Sequence, residues 1–153
     1  MNSTEKVKQA LHNGCVLFTK NRLDTINKTI LELQESLTSE TKSSAGDKHE
    51  TGRAMVQLER EKAGHQLAEI QKVNQLLAKI STEKTSKVIG LGSVVYTTKS
   101  NYYIAISAGE LEVGTQKFYA IAANTPIAQL LLGKTIGDDI VFRVQNFSIT
   151  DVN

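Results

Sequence analysis

Between residues 20 and 40 the apolar positions recur three and four apart: Leu23, Ile26, Ile30, Leu33 and Leu37. That is the spacing of a heptad seam, a narrow stripe suited to one partner helix. After a break at Ser43-Ser44-Ala45-Gly46-Asp47, a second ladder runs through Val56, Ala63, Leu67, Ile70 and Leu77, and Ile80 extends it. Arg60 and Asn74 fall on its two polar rungs; an Asn at a seam position costs stability and helps to fix register. The simplest partner for the first helix is the second, folded back as an antiparallel hairpin. The alternative is a pair of helices laid on the C-terminal half, but the narrowness of both stripes favours a hairpin that projects. At 1.5 Å per residue, a helix from near Val16 to Ser43 is roughly 40 Å long. Asn13-Gly14 is a candidate kink near its start.

Past residue 87 the pattern shortens. Gly92–Thr98, Tyr102–Ser107, Lys117–Ala122 and Asp139–Gln145 are runs rich in β-branched and aromatic residues. Turn signals at Lys99-Ser100-Asn101, Gly109, Gly114 and Gly137-Asp138 separate them. Between the third and fourth runs lies Thr125-Pro-Ile-Ala-Gln-Leu-Leu-Leu-Gly133, with Thr125 as N-cap, Pro126 at the first helical position and Gly133 just past the end. The predicted fold is therefore α+β: a helical hairpin over residues 1–80 with its tip near 43–52, a linker over 81–87, and a globular domain over 88–153 made of an antiparallel sheet with one short helix.

Composition sharpens this division. Of eight aromatic residues only Phe18 precedes residue 85, so the C-terminal half holds the material for a compact core. Net charge is +2, which does not mark a nucleic-acid binder or a polybasic membrane protein. The single cysteine, Cys15, has no intramolecular disulfide partner, Met1 is followed by no apolar signal core, and no run of about 18 apolar residues occurs. The expectation is a cytoplasmic protein with no membrane partner.

Residues 88–153 contain no His and no Cys, and their carboxylates, Glu110, Glu112, Asp138, Asp139 and Asp151, read as solvated charges in or beside turns or at the terminus. No nucleophile–base pair, phosphate-cradling glycine loop or metal-ligand spacing is found. His12 and His65 read as solvated helix residues. His49 lies beside Glu50 and near Asp47, but three ligands on one exposed turn make a weak metal site. Asp47-x-x-Glu50 has a local explanation: Gly46 ends the first helix, Asp47 caps the second, and Glu50 reaches back as an acidic capping box. A cap also fixes where these carboxylates point.

Two places share one further likeness. Thr125-Pro-Ile-Ala-Gln-Leu-Leu-Leu-Gly-Lys-Thr-Ile-Gly-Asp138 resembles the SPIG-x-ALLGK-x-x-GD signature of the bacterial transcript-cleavage factors, the Gre family, and Gly46-Asp47-Lys-His-Glu50 resembles that family's hairpin-tip GD-L-x-EN. The order of hairpin, linker and globular domain also matches, and the likeness covers essentially the whole chain. It implies a C-terminal domain with the fold of FK506-binding proteins that docks on RNA polymerase, and a hairpin that enters the polymerase's secondary channel. The implied tip acids are Asp47 and Glu50, which would act in trans on a Mg²⁺ of the polymerase active site so that the polymerase hydrolyses its own backtracked transcript. The chain itself would be no enzyme, with no intrinsic cofactor and no small-molecule substrate. Thr125, Pro126 and Lys134 would lie in the docking region, and Arg53 and Arg60 could contact nascent RNA. Lys48 stands where the family has leucine, and Thr51 where it has asparagine. The family also has members that enter the channel and inhibit. The rival expectations are thus a non-cleaving channel binder and a coiled-coil interaction protein unrelated to polymerase. Prolyl isomerase activity is not expected, because the aromatic pocket it needs is not evident.

Overall fold

The computed structural model describes the backbone of residues 3–42 and 46–153 and the side chains of residues 3–38 and 52–153. The fold is α+β, a long N-terminal helical hairpin region followed by a mixed sheet with a short helix. Helix α1 spans Ser3–Lys42 and α2 spans Gly46–Lys79. Then come β1 (Val94–Thr97), β2 (Tyr102–Ala105), β3 (Gly109–Val113), β4 (Gln116–Ala122), α3 (Pro126–Leu131), β5 (Asp139–Phe142) and β6 (Gln145–Val152). None of the described helices is long and apolar enough to cross a membrane.

The chain divides into two compact units, Thr19–Asn74 on one side and Met1–Phe18 with Gln75–Asn153 on the other. In the helical unit, Thr19, Leu23, Ile26, Ile30, Leu33 and Leu37 are buried or half-buried while the residues between them are exposed. The alternating steps of four and three are what two helices winding about each other require. On α2 the shielded positions include Val56, Ala63, Leu67, Ile70 and Asn74. Arg60, at the missing rung, is exposed, as a long charged side chain allows when its head stays in water.

The sheet unit recruits the first turns of α1. The ladder of covered positions continues backwards from the seam through Cys15, Leu11, Lys8 and Thr4. Asn13-Gly14 does not interrupt the helix. Gly14 instead permits close packing on the sheet: a Cβ there would lie 3.3 Å from both methyl carbons of Leu111.

The sheet order is β3-β4-β2-β1-β6-β5. All pairs are antiparallel except β2 and β4, which run parallel with Tyr102 opposite Tyr119 and Ala105 opposite Ala122. The expected purely antiparallel sheet is thus corrected. Parallel neighbours usually need a long crossover. Here the chain reverses twice, from β2 into β3 over residues 106–108 and from β3 into β4 at Gly114 (φ 62°), and β4 slots between the two. One face carries the main core of Val95, Ile104, Phe147, Ile149 and Val152, closed by Ala128 and Leu131 of α3. Residues of opposite parity, among them Val94, Tyr103, Phe118 and Ala120, are buried on the other face.

Two strands escaped the sequence reading. Gly109 and Gly114 predict turns here, but Gly-Glu-Leu-Glu-Val forms β3, alternating exposed Glu110 and Glu112 with half-buried Leu111 and Val113. β6 was fused with β5 because the two-residue turn between them is Arg143-Val144. It carries no glycine, and Arg143 takes φ 59°. All five acids are accordingly strand or turn residues, and four of them have partners. Glu110 pairs with Lys117 at 3.3 Å and Asp151 with Lys87 at 3.5 Å. Asp139 accepts from the Ser148 hydroxyl, and Asp138 accepts from the Thr135 amide at 2.9 Å.

Candidate functional site

The helical unit places its candidate site at the start of α2. Gly46 opens this helix and does not close α1, which ends at Lys42. Residues 47 and 50 therefore both fall in the first turn and a half of α2, three positions apart. The side chains of Asp47, Lys48, His49 and Glu50 lie outside the described residues, and with them the capping box and the tip carboxylates. Farther along α2, Arg53 and Arg60 are exposed. Seven positions apart, they share a helix face. Met55 and Leu58 are also exposed, at 64% and 65%, on the same stretch. Neither falls on the 3/4 ladder, which is the sequence signal of their exposure.

The second candidate region, 125–138, is built as its residue types dictate. Thr125 is extended (φ −75°, ψ 153°) and caps α3: its Oγ1 accepts from the Ala128 amide at 3.4 Å and donates to the Ala122 carbonyl at 2.8 Å. Pro126 occupies the first helical position, where its missing N–H is no loss. Ala128 and Leu131 turn inward and are fully buried. Gly133 takes φ 82° and donates its amide to the Ile89 carbonyl at 2.9 Å, while the Ile89 amide donates to the Lys134 carbonyl at 2.9 Å. Two backbone bonds thus stitch this segment to residue 89. Gly137 (φ 91°) and Asp138 close the following turn. Of the expected docking residues, Pro126 and Lys134 present exposed side chains and Thr125 is half-buried in its cap. The spacing of the motif is explained by local folding, with its polar rim left outside.

His12 differs from expectation. It is half-buried, its Nδ1 3.3 Å from the Tyr103 hydroxyl, and burial lowers its pKa. The Tyr103 hydroxyl is pushed up by burial and, less, by Cys15. The Cys15 thiol, buried beside it, is pushed up to about 11 by desolvation. These are properties of inert packed groups, because a reactive thiol needs a lowered pKa and access. Among the described residues, no group of three His, Cys, Asp or Glu is placed to hold a metal ion.

No protein-family model and no curated protein matches the chain. Among solved structures the chain is similar to one described as the transcription factor Gfh1, with 19% identity over 88% of this chain and 90% of that chain and a TM-score of 0.34. The likeness is distant.

Proposed function

We propose that this chain is an RNA polymerase-binding transcription factor that acts through the secondary channel and stimulates cleavage of backtracked transcripts. What supports this reading is the position of Asp47 and Glu50 along the chain. In sequence they lie between two long helices, and their backbones fall within the opening of α2, far along the chain from residues 19 and 74 where it enters and leaves the helical unit. A helix pair with a stripe for a core cannot enclose a substrate, but its turn can be inserted into another protein's cavity. The signature-like segment 125–138 on the same chain supports the same family reading.

In this reading the polymerase owns the reaction. The chemistry of the donor set fits Mg²⁺, which takes hard oxygen ligands and is typically held by one or two protein carboxylates. A bound divalent cation would supply charge stabilisation for attacking and leaving oxygens. Asp47 and Glu50 would supply two oxygen ligands, and α2 fixes the spacing of their backbones. Arg53 and Arg60 would follow on one face toward the RNA backbone, and Pro126 and Lys134 would rim the docking surface.

The test is a backtracked elongation complex. Asp47→Ala with Glu50→Ala should abolish stimulated cleavage and leave polymerase binding intact; undiminished cleavage would overturn the tip assignment. One sequence feature favours the second reading, a channel binder that inhibits. Lys48 puts positive charge between the two acids. Under that reading Lys48→Leu converts an inhibitor of nucleotide addition into a cleavage stimulator.

A further inference from the structure

The sheet unit contains a cavity whose chemistry none of the preceding roles uses. It measures about 370 Å³, is open to solvent on one side, and lies where the start of α1, the end of α2 and the 81–93 segment meet. Its lining includes three lysines, Lys8, Lys79 and Lys84, and the hydroxyls of Ser81, Thr85 and Ser93. None of its lining residues is acidic. Glu83, adjacent to Lys84, and Glu5, one turn before Lys8, do not line it.

Two of these polar side chains are buried. Lys8 is 3% exposed and Ser93 is 4% exposed. The Lys8 ammonium donates to the Lys84 carbonyl at 2.6 Å, which uses one of its three N–H groups. Ser93 Oγ accepts from the Gly90 amide at 2.9 Å, and Ser81 Oγ accepts from the Glu83 and Lys84 amides, each at 3.3 Å. Each hydroxyl is thereby oriented as an acceptor of backbone donors, with its own proton left to donate. A buried ammonium is costly unless a counter-charge or full hydrogen bonding compensates for lost water, and the carbonyl supplies one bond. Desolvation lowers the Lys8 pKa accordingly. The end of α2 presents its negative dipole end here, and Lys79 in its last turn offsets it. A dianion in the cavity would satisfy Lys8, accept from the hydroxyls and be neutralised by three cationic heads.

We propose that this cavity is a binding site for a small phosphate, free or as a phosphomonoester, with Lys8 as the buried anchor and Lys79 and Lys84 at the rim. The volume accommodates a phosphate with a further group attached and is at the small end of ordinary ligand pockets. The site depends on nothing assumed about the hairpin tip, so cleavage assays and anion binding can fail independently.

The experiment is titration calorimetry of the full chain at constant ionic strength with three probes: inorganic phosphate, pyrophosphate and a nucleoside 5′-monophosphate. The expected result is one saturable site per chain for at least one probe, with Kd of about 1 mM or tighter. Tightest binding of inorganic phosphate assigns the free ion; tightest binding of the nucleotide assigns an ester. Lys8→Met should weaken binding about tenfold or more, the loss of one charge-assisted contact. Because a buried change can unfold the unit, Lys79→Glu is the second variant. Its side chain is at the exposed rim, and it should weaken binding as strongly with the fold unchanged by circular dichroism. Lys99→Gln, in the β1–β2 turn, should bind as the parent does. The proposal is overturned if no probe saturates, if chloride competes as well as phosphate, or if Lys79→Glu binds like the parent.

Discussion

In the sheet unit Tyr103, Ile104, Phe118 and Leu131 are wholly enclosed. Among the described residues of 19–74 the deepest apolar side chains are Ala63 at 2%, Ile70 at 5% and Ile26 at 7%, and Leu23, Ile30, Leu33 and Leu37 are only half-covered. The first unit is held by a two-faced core and a hydrogen-bonded sheet. The second is held by a stripe along two helices. A stripe stabilises less per residue, since hydrophobic free energy follows apolar area removed from water. It also leaves most of each helix surface free. That is a reasonable way to build an element that must reach, and a poor way to build one that must enclose.

The contrast is broken most directly by truncating one residue of each kind. Leu131→Ala should cost the sheet unit about 3–5 kcal/mol, the usual range for emptying a fully buried site. Ile30→Ala should cost the helical unit only about 1–2 kcal/mol, because its pocket is already open to water. Denaturant titration can read the two apart. All four tyrosines lie between residues 96 and 119, so their fluorescence follows the sheet unit, while the 222 nm ellipticity is dominated by α1 and α2. Equal losses would mean that the helical stripe is as well packed as the sheet core.

The sheet unit should also be the one sensitive to alkali. The Cys15 thiol belongs to it and is pushed up to about 11 from about 9. A raised acid favours the folded state while it is neutral. The contribution is full below pH 9, declines as the unfolded chain ionises, and is lost as pH rises to about 11. One pKa unit corresponds to about 1.4 kcal/mol, so the loss across this window approaches 3 kcal/mol. Tyr103 adds in the same direction, and Lys8, lowered by burial, opposes it. Comparing the parent with Cys15→Ala isolates the thiol: the variant should lose less stability between pH 9 and 11. The parent's thiol should also resist alkylation at pH 8 until the unit unfolds.

Backbone demands separate the units again. Gly92 sits at φ 86°, and a Cβ there would meet the Ile80 Cγ2 methyl at 3.0 Å. Gly92→Ala should cost about 2 kcal/mol, from a left-handed conformation and a forced contact. Urea midpoints of the tyrosine signal check it.

These differences also explain what could be read from the sequence. The seam was legible because Leu23, Ile26, Ile30, Leu33 and Leu37 are the only regular apolar feature of a polar stretch. Its continuation into the sheet unit was not, because Thr19, Cys15 and Lys8 occupy the next rungs and do not register as apolar. The ends of α3 were legible from Thr125, Pro126 and Gly133, whose chemistry allows few alternatives. β3 was missed because two glutamates disguised a strand with one open face, and β6 because Arg143-Val144 turns without glycine. The parallel β2–β4 pair depends on which strand slots between which, and no local residue encodes that choice. The cavity around Lys8 was invisible for a related reason: its lysines come from positions 8, 79 and 84 and meet only after folding.

The smallest test of the contrast uses two helical glycines. Nothing lies within 4 Å of a Cβ added at Gly64, which is exposed on α2 in the helical unit. Gly64→Ala should therefore collect the full helix-propensity gain, about 0.5–1 kcal/mol. Gly14 sits on α1 in the sheet unit, where the new methyl would press on both Leu111 methyl carbons at 3.3 Å. Gly14→Ala has the same propensity gain, but Leu111 must move to accept it, and displacing a packed side chain costs about as much. The expected result is a higher midpoint in the 222 nm transition for Gly64→Ala and none in the tyrosine transition for Gly14→Ala. Equal gains at both sites would show that α1 is as loosely held against β3 as α2 is along its solvent face, and the distinction between an enclosed unit and an open one would fail at that contact.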